Sequence, residues 1–378
     1  MRRSAPPRWR IRSGIPVATL VVVLVALTAH GRGARALRPR VSRDATTTWI
    51  WHYVDRDAPI RVPVFRQMLE VAPDDVEVVV ASVDEAASAR ARSSLGDRTG
   101  TGRRIHYLTT TVPLGAWARD PYVFFERGGA SCALLPPRHA VTSETAANSS
   151  VPLALAARWP GLQTREEPFA LEGGDILPTD RHVFVGAATL DKNRRHLRIA
   201  PEDLLRRIAA VMGRRPVVVG HGGGELLHEH ADMFLTPLDD QTVVLGDPRL
   251  ALGLLPGTPD ESNHGPALRP LGRFRRSRQL QLIPRYERVA SDLRAQGIEV
   301  RRLPILHGTS NGTGDDQVVL TWNNVLLHES HGIRHAFVPQ YGVRSLDAEA
   351  HARWRSWGYV VHAIDMRATI PHGGAVRC

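Results

Sequence analysis

Cysteine and lysine are almost missing from this sequence. Cys132 and Cys378 are the only thiols in 378 residues, too few for a disulfide framework. A chain of this length can bury an ordinary core without one. Lys192 is the single lysine among 49 basic residues, which reads as a compositional bias toward arginine. Outside the N-terminus the arginines form no cluster interleaved with aromatics, so no nucleic-acid face is marked. Beyond residue 29 no segment is long and apolar enough to span a bilayer. With 43% hydrophobic and 23% charged residues, the chain is not of the disordered class.

The formal net charge is +11, but its distribution is lopsided. Residues 1–43 hold ten arginines and no acid, so the remaining 335 residues are close to neutral. Five of those arginines lie in residues 2–12, and the apolar stretch Ile15–Ala29 follows. A basic flank and then an apolar segment is the layout of an export signal. Its 15 residues fall short of the about 20 that cross a bilayer comfortably. Ala34-Arg35-Ala36 is one candidate cleavage site. The expectation is a cleaved signal over residues 1–43, or alternatively an uncleaved membrane anchor. Residues 44–378 then form one domain outside the cytoplasm.

From Trp49 onward one theme recurs: a helix, a stop near Gly or Pro, and a short β-branched strand. The patterns predict helices over Ala86–Leu95, Val151–Trp159, Pro201–Met212, Tyr286–Gln296 and Leu346–Trp357. Strands are predicted over Arg104–Thr109, Pro216–Gly220, Ile298–Leu303 and Tyr359–Ile364, and in the stretch ending at Phe169-Ala170. Gly213, Gly297 and Gly358 stand where helix C-terminal caps belong, and Pro201 suits a first turn. Met233–Pro237 and Thr242–Leu245 read as a hairpin across Asp239-Asp240.

A polar loop follows each unit. In order they are Trp117-Ala118-Arg119-Asp120, Leu171-Glu172-Gly173-Gly174-Asp175, His228-Glu229-His230-Ala231-Asp232, Asn311–Asp315 and His372–Cys378. Asp120 and Glu172 are 52 residues apart, and Glu172 and Asp232 are 60 apart. Five similar units, each delivering a polar loop at the same stage, suggest a closed radial array around one shared site.

Cys378 is the strongest nucleophile in that set, and Gly373-Gly374 before it allow close backbone approach to a substrate. Taken alone, it reads first as a cysteine on a frayed tail. His230 and Asp232 are two residues apart, so on a strand both project from one face. That suits a general acid/base beside a carboxylate. His228, His230 and Asp232, with His221, are alternatively metal ligands, although their spacing matches no standard zinc pattern. Glu172 and Asp175 flank a Gly-Gly turn, and Asp120 beside Arg119 is by itself an ordinary ion pair.

Together these residues resemble the guanidine-modifying superfamily, and most closely the agmatine deiminase and bacterial peptidylarginine deiminase family. That family's ordered motifs are Trp-x-Arg-Asp, Glu-Gly-Gly, His-x-Asp and Gly-Gly-x-x-x-Cys. They match at Trp117/Arg119/Asp120, Glu172-Gly173-Gly174, His230/Asp232, and Gly373-Gly374 with Cys378. The segments Thr321–Val325 through Val338–Gly342 resemble its late strand pair. The resemblance runs from about Trp49 to the end and implies an α/β fold: a five-bladed pseudo-symmetric propeller of ββαβ units. Three departures are visible. Pro121-Tyr122 follows Asp120 where the family has x-Gly-Pro, Arg377 precedes the cysteine as in arginine deiminases, and the sequence stops at Cys378.

The resemblance also implies a reaction. Carboxylates bind the planar guanidinium cation through paired, charge-assisted hydrogen bonds. Asp120 and Asp232 are expected to hold its nitrogens, with Glu172 assisting or orienting His230. Cys378 is the expected nucleophile and His230 the acid and base, with no metal or organic cofactor. Trp117 covers the substrate or sits in the core, and Arg119, Gly373 and Gly374 line the binding site. The expected partner is a small guanidine or an arginine-bearing peptide. Amidino transfer, and a degenerate protein that only binds guanidines, are the alternatives.

Overall fold

Local signals set most element boundaries. In the computed structural model the described residues are 22–26, 47–115, 118–127, 130–135, 150–159, 161–220, 227–255, 276–309, 317–372 and 375–377. The helix Pro201–Met212 begins with Pro in its first turn and acids Glu202 and Asp203 beside it. Those acids complement the exposed N–H groups of the first turn. It buries Leu204, Ile208, Val211 and Met212, one face at helical spacing, and stops at Gly213 with φ +67°. Such a left-handed cap costs glycine little. Asp84 caps the helix Glu85–Leu95 through the Ala87 N–H at 2.7 Å.

The strands form five sheets. The first holds β1 (Val22–Ala26), β2 (Thr47–His52), β3 (Val76–Ser82) and β4 (Ile105–Thr109). The second holds β5 (Val123–Arg127), β6 (Ala130–Leu135) and β7 (Leu162–Glu166). The third holds β8 (Ile176–Pro178), β9 (His182–Gly186) and β10 (Arg215–Val219). In the fourth, β11 (Leu235–Pro237), β12 (Thr242–Asp247) and β13 (Glu299–Thr309) are joined by β14 (Gln317–Thr321). The fifth holds β15 (Leu326–Ser330), β16 (Ile333–Gln340) and β17 (Val360–Asp365). One pattern recurs in all five: the first two strands pair antiparallel and the second and third pair parallel.

A parallel neighbour requires a crossover, and helices supply it. They are α1 (Ala58–Glu70), α2 (Glu85–Leu95), α3 (Ser150–Arg158), α4 (Ala187–Lys192), α5 (Pro201–Met212), α6 (Pro248–Leu254), α7 (Arg276–Ala295) and α8 (Arg344–Ser356). Apolar clusters join neighbouring sheets. Ile50 and Val79 pack with Ala133 and Leu162, Leu134 with Ile176 and Val185, and Phe184 with Leu235 and Val243. The fourth and fifth sheets share a cluster with the first. There the Trp49 and Phe337 rings meet edge to face at 5.0 Å.

The expected hairpin over 233–245 is β11–β12. Helix α7, expected to start at Tyr286, begins ten residues earlier and runs through Pro284. Burial of Gln279, Leu282 and Tyr286 along one face outweighs the backbone hydrogen bond that Pro284 cannot donate. The segments flagged near Thr321 and Val338 bracket the β15–β16 hairpin. Val22–Ala26, inside the N-terminal apolar stretch, pairs with β2. Among the described residues no helix is long and apolar enough to cross a membrane.

Candidate active site

Three of the expected polar loops occupy the same place in their sheets. Asp120 stands just before β5, Glu172 just before β8 and Asp232 just before β11. Equivalent entry points bring together residues that are far apart in sequence. The fourth counterpart is Asn323-Asn324, just before β15, whereas the expected Asn311–Asp315 loop lies outside the described residues. Trp117, Gly373, Gly374 and Cys378 also lie outside them.

Two glycines let the loops touch. The Gly173 N–H donates to the Asp120 carbonyl oxygen at 3.1 Å. A Cβ at Gly173 would lie 2.0 Å from the Arg119 carbonyl oxygen, and one at Gly174 would lie 2.8 Å from His230 Cγ. Any side chain there would force the loops apart. Asp175 ties the next loop in place. Its Oδ1 accepts from the Ala231 N–H at 2.9 Å and its Oδ2 from the Thr189 hydroxyl at 3.0 Å. Burial pushes the Asp175 carboxyl up to about 6.

His230 is the hub. Its Nε2 lies 2.8 Å from Glu172 Oε2, and its Nδ1 lies 3.7 Å from Asp120 Oδ1. The His230 N–H donates to His228 Nδ1 at 3.0 Å. His228 is therefore engaged by backbone, and burial pushes its imidazole down to about 3. Burial alone would raise the Glu172 carboxyl. The His230 hydrogen bond and charge, together with the Lys192 ammonium, outweigh it and hold Glu172 at about 2. Lys192 Nζ lies 2.5 Å from the same Glu172 oxygen.

The two aspartates differ. Asp232 is fully buried, with its Oδ2 at 3.2 Å from Arg119 Nε. Arg119 Nη2 donates to the Ile176 carbonyl oxygen at 3.2 Å, so this arginine braces the site from β8 to β11. Asp120 is raised to about 7, mainly by burial, with Glu172 and Asp232 adding to the effect. Its Oδ1 has no hydrogen-bond partner among the described residues. A cavity of about 330 Å³ is lined by Arg119, Tyr122, Cys132, Thr236 and Arg377 among others. Asp120, Glu172 and His230 do not line it.

No protein-family model and no curated protein matches this sequence. Solved structures do. The C. jejuni agmatine deiminase superposes with a TM-score of 0.62 at 13% identity, covering 88% of this chain and 91% of that one. The agmatine deiminase of Enterococcus faecalis gives 0.61 at 12%, covering 87% and 90%. A protein provisionally assigned as a peptidyl-arginine deiminase gives 0.60 at 14%, covering 87% and 93%. The chain has the agmatine deiminase fold.

Within this deiminase fold, Asp120, Glu172, His230, Asp232 and Arg119 converge as a connected set. Sequence reasoning missed two members. Lys192, at the end of α4, reaches Glu172, and its one available signal was that it is the chain's only lysine. Asn324 links two loops: its Nδ2 donates to the Asp232 carbonyl oxygen at 3.5 Å, and its Oδ1 accepts from the Arg377 N–H at 2.8 Å.

Proposed function

We propose that this protein is a deiminase that hydrolyses a guanidinium group, of agmatine or of an arginine side chain, to a ureido product and ammonia. One observation carries the reading. Around His230, Asp232 is matched by Arg119 and Glu172 by Lys192, while Asp120 Oδ1 has no hydrogen-bond donor among the described residues and faces only His230 Nδ1 at 3.7 Å. A buried carboxylate oxygen open to a donor suits a guanidinium, which supplies both positive charge and paired N–H donors. The five sheets are read as blades of a closed propeller around this site. Their shared pairing pattern and the Trp49–Phe337 contact support that arrangement.

In the proposed reaction the Cys378 thiolate adds to the guanidinium carbon. His230 donates a proton to the departing nitrogen, the C–N bond breaks and ammonia leaves, which makes a covalent thiouronium. His230 then takes a proton from water, whose oxygen bonds to the same carbon. The C–S bond breaks, the thiolate is regenerated and the ureido product leaves. The Arg377–Asn324–Asp232 connection supports Cys378 as the attacking group, because it ties the preceding residue to the Asp232 loop. The basic, apolar N-terminus supports action outside the cytoplasm.

Ammonia release assayed on agmatine, free arginine and a peptidyl-arginine tests the reading. Release from at least one is expected. A guanidine that binds without turnover points to a binding protein, and a guanidino product formed from an added amine points to amidino transfer.

A further inference from the structure

Lys192 is the one lysine the chain keeps, and its position is built rather than incidental. It ends α4, and the next residue, Asn193, is fully buried. The Asn193 amide clamps that helix to the segment leading into the Glu172 loop. Nδ2 donates to the carbonyl oxygens of Ala170 at 2.7 Å and Thr189 at 2.8 Å, and Oδ1 accepts from the Ala170 N–H at 2.9 Å. Thr189, on the same helix, binds Asp175. The Lys192–Glu172 spacing is therefore set by a scaffold tied at three points, two residues from the carboxylate it serves.

The geometry points to Lys192 as a positioning residue for the acid/base histidine: its ammonium and His230 Nε2 converge on one oxygen of Glu172, which holds that carboxylate anionic and aimed at the ring. Lys192 Nζ is 2.5 Å and His230 Nε2 2.8 Å from Glu172 Oε2. With Nε2 committed to Glu172, Nδ1 is the nitrogen turned toward Asp120, 3.7 Å away. An imidazole whose one nitrogen is anchored presents the other in a defined tautomer and orientation. Lys192 adds its charge to the His230 hydrogen bond and charge in keeping the anchor anionic. Arginine, which the chain uses at 48 of its 49 basic positions, carries the same charge on a bulkier planar group.

This inference rests on the deiminase reading for its kinetic part and on the fold alone for its electrostatic part, so the experiment separates them. Glu172 is titrated by carboxyl carbon NMR in the substrate-free protein, the Lys192→Met variant and the Lys192→Arg variant. Lys192→Met is expected to move the Glu172 midpoint from about 2 toward its ordinary 4.5, and Lys192→Arg to hold it low. With a turned-over guanidine, Lys192→Met is expected to lower kcat by roughly 10- to 100-fold, as losses of orienting partners do. KM should change far less, and the acid limb of the pH profile should shift upward, with recovery in Lys192→Arg. A Glu172 midpoint unmoved in a folded Lys192→Met protein overturns the inference. A shifted midpoint in a protein that deiminates nothing sustains the pairing and sinks the deiminase reading instead.

Discussion

Arg119 and Asp232 are 113 residues apart in sequence, yet Arg119 Nε and Asp232 Oδ2 are 3.2 Å apart and both side chains are buried. This pair joins the loop before β5 to the loop before β11, and His230 stands two residues from one end of it. Breaking a buried pair leaves an uncompensated charge, which costs about 3–5 kcal/mol. Asp232→Ala is expected to lose stability on that scale in urea denaturation and to weaken guanidine binding. Arg119→Met with Asp232→Leu should lose much less than either single change. Additive losses in that double-mutant cycle would mean that the two residues are not coupled.

Asp120 gives the site a pH dependence. With its carboxyl at about 7, the anion that receives a guanidinium is lost as pH falls through that value. KM for the guanidine is expected to rise below pH 7 and level off above it. Asp120→Asn should bind weakly at every pH. The sign for stability is opposite, because an acid with a raised folded-state value binds its proton more tightly when folded. Between its ordinary 3.8 and about 7, rising pH therefore destabilises the fold, and Asp120→Asn should melt higher at pH 8. A KM that is flat between pH 6 and 8 would remove Asp120 from the binding role.

Cys378 and His230 should fail in distinguishable ways. Cys378→Ser is expected to release no ammonia, and a substrate-mimicking haloacetamidine should label Cys378 far faster than iodoacetamide does. His230→Ala should cost about 10²- to 10⁴-fold in turnover with a modest change in binding. Full ammonia release by Cys378→Ser would set the thiol mechanism aside.

The N-terminal stretch has two claims on it, export and the β1–β2 pairing. A protein lacking residues 1–43 is expected to remain folded and to keep any guanidine-hydrolysing activity, because β2 and β3 bury Trp49, Ile50, Trp51, Val78 and Val79 among residues that the truncation leaves in place. Aggregation or loss of activity in the truncated protein would assign Val22–Ala26 to the fold.

Local chemistry made the elements legible in the sequence. Pro201 and Gly213 mark the ends of α5, and the alternation around Asp239-Asp240 marks β11 and β12, because caps and turns depend on a few neighbouring residues. The ordered motifs around Asp120, Glu172 and His230 likewise named the loops that converge. Tertiary structure decided the partners. That Arg119 turns to Asp232, that Lys192 shares Glu172 with His230, and that Asn324 reaches the Asp232 loop are relations between different sheets and helices. No local pattern encodes them. An ion pair depends on a separation of a few ångströms, and for residues 20 to 113 positions apart only the packing of sheet against sheet sets that distance.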